Sequence, residues 1–129
     1  MPSDPVTQEL LLLNQRLLDC IAQADWDTYV ELCDPGLTCF EPESLGHLVE
    51  GLPFHEYYFK LGPTDGEHQT TMSSPHVRLM GDVAVVSYVR LNQRQTGDGS
   101  PVTSGVAETR VWQRQNGRWR HVHFHRSAP

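Results

Sequence analysis

The sequence predicts an α+β fold in which helices come first and long antiparallel strands follow. Three observations predict it. Apolar residues recur at helical spacing near the N-terminus, two shorter helical segments follow, and from residue 69 onward the runs are strand-like with hairpin signals between them.

From Thr7 to Ala24, Leu10, Leu13, Leu17, Ile21 and Ala24 form one stripe that Leu11 and Leu18 widen, as expected for an amphipathic helix with a broad buried face. Asp25 is suited to cap a second short helix carrying Trp26, Tyr29 and Leu32. The "DPG" at 34–36 is a turn signal, and Pro35 prevents a simple continuation of that helix. "LTCFEP" then reads as a strand and "LPFHEYYFK" as a third helix, with Pro53 in its first turn. A loop is expected over 61–69. The strands "QTTMS", "HVRLM", "VAVVSYVRLNQRQ", "VTSGVAETRVWQR" and "RWRHVHFHR" follow, separated by turn signals such as "GD", "TGDGS" and "NG". A strongly curved antiparallel sheet wrapped around the long N-terminal helix gives a cone with one open end, hence a pocket.

A chain of 129 residues has the length of one domain. Its net charge of −6 argues against nucleic acid as a partner. Seven of the ten basic residues nevertheless lie between Arg90 and Arg126, which suggests a local anion site. Cys20, Cys33 and Cys39 match no zinc or redox spacing. The first residues lack a positive n-region and no segment is long enough to span a membrane, so a reduced, cytoplasmic protein without membrane contact is expected.

Strand parity groups the candidate site residues. Val86, Tyr88 and Arg90 share a face, as do Val106, Glu108, Arg110 and Trp112, and in the last strand Val122, Phe124 and Arg126 lie opposite His121, His123 and His125. Whether these faces coincide depends on Asn116–Gly117. A two-residue type I′ loop would oppose Gln115 to Arg118; a three-residue loop with a bulge would oppose Arg114 to Arg118 and gather Arg110, Trp112, Val122, Phe124 and Arg126 inward. The second register is favoured because it unites three core-type residues. Glu108 is the nearest candidate partner if the arginines are merely ion-paired. The three histidines span about 13 Å along one strand, too far for one zinc ion, so no metal and no cofactor is expected. They are expected to lie with Trp119 on an outer face packed against another sheet. His55 and Tyr58 in "PFHEYYF" should reach the open end of the sheet.

The stretches "CDPGLTCFEPESLGHLVEGLPFHEYYF", "PHVRLMGD" and "ETRVWQRQNGRWRHVHFHRS" resemble the association (hub) domain of calcium/calmodulin-dependent protein kinase II. The similarity runs over about residues 7–128, leaving 1–6 as an N-terminal tail and 7–128 as a single domain. The resemblance implies a nuclear transport factor 2-like cone and self-assembly into dimers that close into large rings. It further implies a basic cavity for a small carboxylate, with His55, Arg90, Arg110 and Arg126 lining it. No kinase motif is present, so phosphorylation is not expected of this polypeptide. The expected function is non-catalytic homo-oligomerisation with an anion-binding pocket. An isomerase-, cyclase- or dehydratase-like enzyme with His55 as base is the alternative. A carboxylate partner for His55 would favour the enzyme, and full internal pairing of the arginines would favour a purely structural adaptor.

Overall fold

The computed structural model of the chain describes residues 4–63 and 68–128. Helix α1 (Pro5–Ala22) begins with Asp4, whose side chain accepts from the Thr7 amide at 3.0 Å, and takes in Pro5 and Val6 of the stretch expected to be a tail. Asp25 caps α2 (Trp26–Leu32) in the same way, accepting from the Thr28 amide. Strand β1 (Cys33–Phe40), a 3-10 turn (Pro42–Ser44), a two-residue strand β2 (Val49–Glu50) and α3 (Pro53–Lys60) complete the first half. The second half is a meander of β3 (His68–Met80), β4 (Val83–Gln95), β5 (Pro101–Gln115) and β6 (Arg118–Arg126). Residues 64–67 of the expected 61–69 loop lie outside the described residues.

The six strands form one open sheet in the order β2-β1-β6-β5-β4-β3. Its meander is antiparallel as expected, but β1 pairs with β6 in parallel, a join that no hairpin signal announces. The two strands expected at "QTTMS" and "HVRLM" are one, β3. Ser74 takes a left-handed φ of 51° and the register shifts between Ser73 and His76, so the strand bends there without ending.

Helix α1 crosses the inner face of this sheet. Leu10, Leu17 and Leu18 are buried against Ala84, Val86, Trp112 and Phe124. Burying such side chains contributes about 1.5–3 kcal/mol each, which is the main support of the fold. Asn14 interrupts the apolar stripe yet is fully buried, because its carbonyl accepts from Trp112 Nε1 at 3.0 Å.

The final hairpin corrects the favoured register. Asn116 and Gly117 both have positive φ, 52° and 80°, and Gln115 pairs with Arg118, as in the two-residue loop. The bulge lies further along β6: Val111 pairs with His123 and Trp112 with His121, leaving Val122 as the extra residue. That residue reverses the parity of the strand. Phe124 and Arg126 face inward as expected, whereas His121 also faces inward and Trp119 is buried rather than outer. The three histidines therefore do not share a face: His125 is exposed and His123 half-buried, while His121 is 0% exposed and packs on Trp112 and Phe124.

Candidate functional site

Strand register sets the site. On the inner face of the sheet, Glu108 of β5 stands directly between Tyr88 of β4 and Arg126 of β6. Arg110 follows two residues on along β5, and Arg90 two residues on along β4, so two guanidiniums meet the Glu108 carboxylate while Arg126 lies opposite on β6. Arg110 Nη2 lies 3.1 Å and Arg90 Nη1 3.3 Å from the Glu108 carboxylate, and the Tyr88 hydroxyl donates to it at 2.5 Å. Glu108 is thus the internal partner anticipated from the sequence.

The three arginines are not equivalent. Arg110 is 1% exposed; its Nε donates to the Tyr88 hydroxyl and to Glu108, and its guanidinium stacks 4.4 Å from the Phe124 ring centre. Burial opposes its charge, but Glu108 and Tyr88 outweigh burial and raise its pKa. Arg110 is a buried fixture. Arg90 has its pKa lowered by burial, and the neighbouring Arg110 and Arg126 push the same way against Glu108. Its Nε is buried without a hydrogen-bond partner. Arg126 is paired with Glu43, which is itself one-third exposed. Burial would raise the Glu108 pKa, yet Arg110 and Arg90 hold it below the usual glutamate value.

His55 and Tyr58 come from α3, whose first turn holds Pro53. His55 is buried and its Nε2 lies 3.2 Å from Glu41 and 3.5 Å from Cys39 Sγ. Glu41 follows β1 and is turned back over the site by the 3-10 turn, in which Leu45 takes a left-handed φ of 53°. Burial works against the Glu41 charge, but the hydrogen bond and charge of His55, with Arg126 behind it, lower its pKa.

A cavity of about 250 Å³ lies among these side chains, and all five residues named from the sequence, His55, Tyr58, Arg90, Arg110 and Arg126, line it. Glu41 and Glu43 also line it. They were not named from the sequence, since nothing local foretells that the 41–50 segment folds over the sheet. Both discriminating observations occur together: His55 has a carboxylate partner, and each guanidinium has a glutamate within reach. The His55 pairing does not leave an accessible base, because Nε2 is turned to Glu41 and Nδ1 is buried.

The profile of the family described as "Calcium/calmodulin dependent protein kinase II association domain" matches residues 6–129. The chain is 46% identical over 124 residues to calcium/calmodulin-dependent protein kinase type II subunit delta of Oryctolagus cuniculus, covering 94% of this chain and 23% of that protein. Its fold superposes on the hub homology domain of Chlamydomonas reinhardtii with a TM-score of 0.89 at 51% identity, covering 96% of this chain and 98% of the other. The association domain from C. elegans gives the same score at 45% identity, with 95% of each chain covered. A dehydratase-type structure of the NTF2-like family from Streptomyces avermitilis, 20% identical with a TM-score of 0.76 and covering 98% and 97% of the two chains, shares the fold alone. No helix among the described residues is long and apolar enough to cross a membrane. The family match over nearly the whole length, the close structural likeness and the inward ring of arginines agree: this chain belongs to the association-domain family of calcium/calmodulin-dependent protein kinase II.

Proposed function

We infer that this chain is a self-associating hub whose cavity binds a small carboxylate. The observation that carries self-association is the outer face of the sheet. Phe40, Val85, Val89, Val111, His123 and His125 cover neighbouring rows of β1, β6, β5 and β4 there, and none is a fixed charge. Phe40 and Val89 remain 38% and 41% exposed, a surface that gains by pairing with its own copy. The names of the family and of its solved members support the same reading.

The anion reading rests on Arg126. Its guanidinium lines the cavity, and its partner, Glu43, is exposed enough to swing away and leave it to an incoming anion, while Arg90, held by Glu108, forms part of the same wall. Arg110 supplies background charge and His55 and Tyr58 close the wall. Calorimetric titration with short aliphatic carboxylates tests this. Charge-assisted hydrogen bonds contribute about 1.5–3 kcal/mol, so Arg126→Ala should weaken binding by about ten- to a hundred-fold. Equal affinity in the variant would remove Arg126 from the site.

A further inference from the structure

Cys39, Glu41 and His55 bring three different donor atoms to one point. Glu41 Oε2 is 3.2 Å from His55 Nε2, Cys39 Sγ is 3.5 Å from the same nitrogen, and Sγ is 3.7 Å from Oε2. As hydrogen bonds these contacts are loose. A charge-assisted imidazole–carboxylate bond settles at about 2.7–2.9 Å, shorter than the 3.2 Å between His55 and Glu41. As the edge lengths of a coordination polyhedron they fit. Zinc bonds of about 2.3 Å to sulfur and about 2.0–2.2 Å to nitrogen and oxygen, set at tetrahedral angles, require edges of about 3.3 Å between nitrogen and oxygen and about 3.5 Å from sulfur to either.

We propose that Cys39, Glu41 and His55 form a three-donor zinc site whose fourth position opens into the cavity. All three residues are buried, and they are the cluster of His, Cys, Asp and Glu among the described residues whose donor atoms converge within 4.8 Å. Glu41 and His55 line the cavity, which gives an ion its entry path and leaves room for a water or an anion as fourth ligand. Thiolate and carboxylate together cancel the charge of a divalent ion, so the neighbouring Arg126 meets a neutral centre. The sulfur–nitrogen pair selects zinc over magnesium or calcium. On binding, the Cys39 S–H bond breaks, sulfur bonds to the metal and the proton leaves to solvent; the imidazole proton sits on Nδ1. That nitrogen has no hydrogen-bond partner in the protein. The loss of an outer partner weakens metal affinity by about 10- to 100-fold, which places this site below the tight structural sites.

The sequence gives little warning, because a Cys-x-Glu pair running off the end of a strand and a histidine on a later helix match no familiar zinc spacing. The test uses the whole assembled protein, stripped with chelator and titrated with Zn²⁺ and separately with Co²⁺. One ion per chain, with a cobalt–thiolate charge-transfer band that Cys39→Ala abolishes and an affinity at least about tenfold weaker in that variant, is the expected result. Glu41→Gln serves as a second variant and should weaken binding while keeping the charge-transfer band. Circular dichroism and native mass verify that each variant stays folded. Absence of stoichiometric binding to the folded wild type, or binding unchanged by Cys39→Ala, would overturn the proposal, the latter pointing to surface histidines instead.

Discussion

Glu108→Gln isolates the electrostatic centre of the fold, since the amide keeps the shape of the side chain and removes its charge. The Glu108 side chain is 0% exposed and faces Arg110 at 3.1 Å and Arg90 at 3.3 Å. At an effective dielectric of about 20, each contact is an attraction of about 5 kcal/mol. Taking the carboxylate out of water on folding costs several kcal/mol of that sum, and the substitution removes most of this cost. What remains is a loss of about 3–5 kcal/mol, the usual penalty for leaving a buried charge without its partner. Urea unfolding followed by tryptophan fluorescence measures it, at one fixed protein concentration because assembly contributes to apparent stability. A second substitution, Arg90→Met in the Glu108→Gln background, should restore part of the loss by removing one unpaired cation. Added acetate should also stabilise Glu108→Gln more than the wild type, as an anion in the cavity replaces the missing carboxylate. A loss below about 1 kcal/mol would refute the reasoning, because it would mean that water already solvates the guanidiniums.

Further predictions concern pH and register. His121 is fully buried, and burial first, with Arg110 beside it, holds its pKa well below the usual histidine value. The unfolded chain therefore takes up a proton near pH 6.5 that the folded chain refuses, so stability is full above about pH 6.5 and falls below it by up to about 1.4 kcal/mol per pH unit. Glu108 adds a second loss only below about pH 4.3, where the unfolded carboxylate protonates before the folded one. Urea midpoints at pH 7.5 and 5.5 check the first window, and equal midpoints would contradict a buried neutral His121. Deleting Val122 removes the bulge and turns either Phe124 and Arg126 or His121 and Trp119 to the opposite face. Expelling a buried aromatic ring costs about 3–5 kcal/mol, so the variant should unfold at markedly lower urea; a wild-type midpoint would show that the bulge is not needed.

Much of this architecture was legible residue by residue. The alternation in "VAVVSYVRLNQRQ" and "RWRHVHFHR" marks β4 and β6 at their observed bounds, because each strand has one face toward the helices and one outward. The leucine stripe marks α1 for the same reason. The arginine face was legible too, but by a partly wrong route. "NG" suits both loop types, and the bulge that the inward residues demand was placed at the turn instead of at Val122. One misplaced residue sufficed to send His121 and Trp119 to the wrong side. Glu41, Glu43 and Cys39 were invisible as site residues, because their positions depend on β1 joining β6 in parallel and on the 3-10 turn folding back over α3. Those are long-range contacts with no local periodicity to announce them. The "DPG" signal marks the end of α2, yet its residues are accommodated inside β1, where four residues between Cys33 and Thr38 bulge against one on β6.

The native mass in solution, by light scattering coupled to gel filtration over a micromolar dilution series, tests the central claim most directly. The account predicts a discrete assembly of several chains that persists on dilution and breaks down when Val111→Glu places a charge on the outer sheet face. A monomer at every concentration would contradict it, leaving the exposed apolar rows of the outer face without a partner and the hub reading without support.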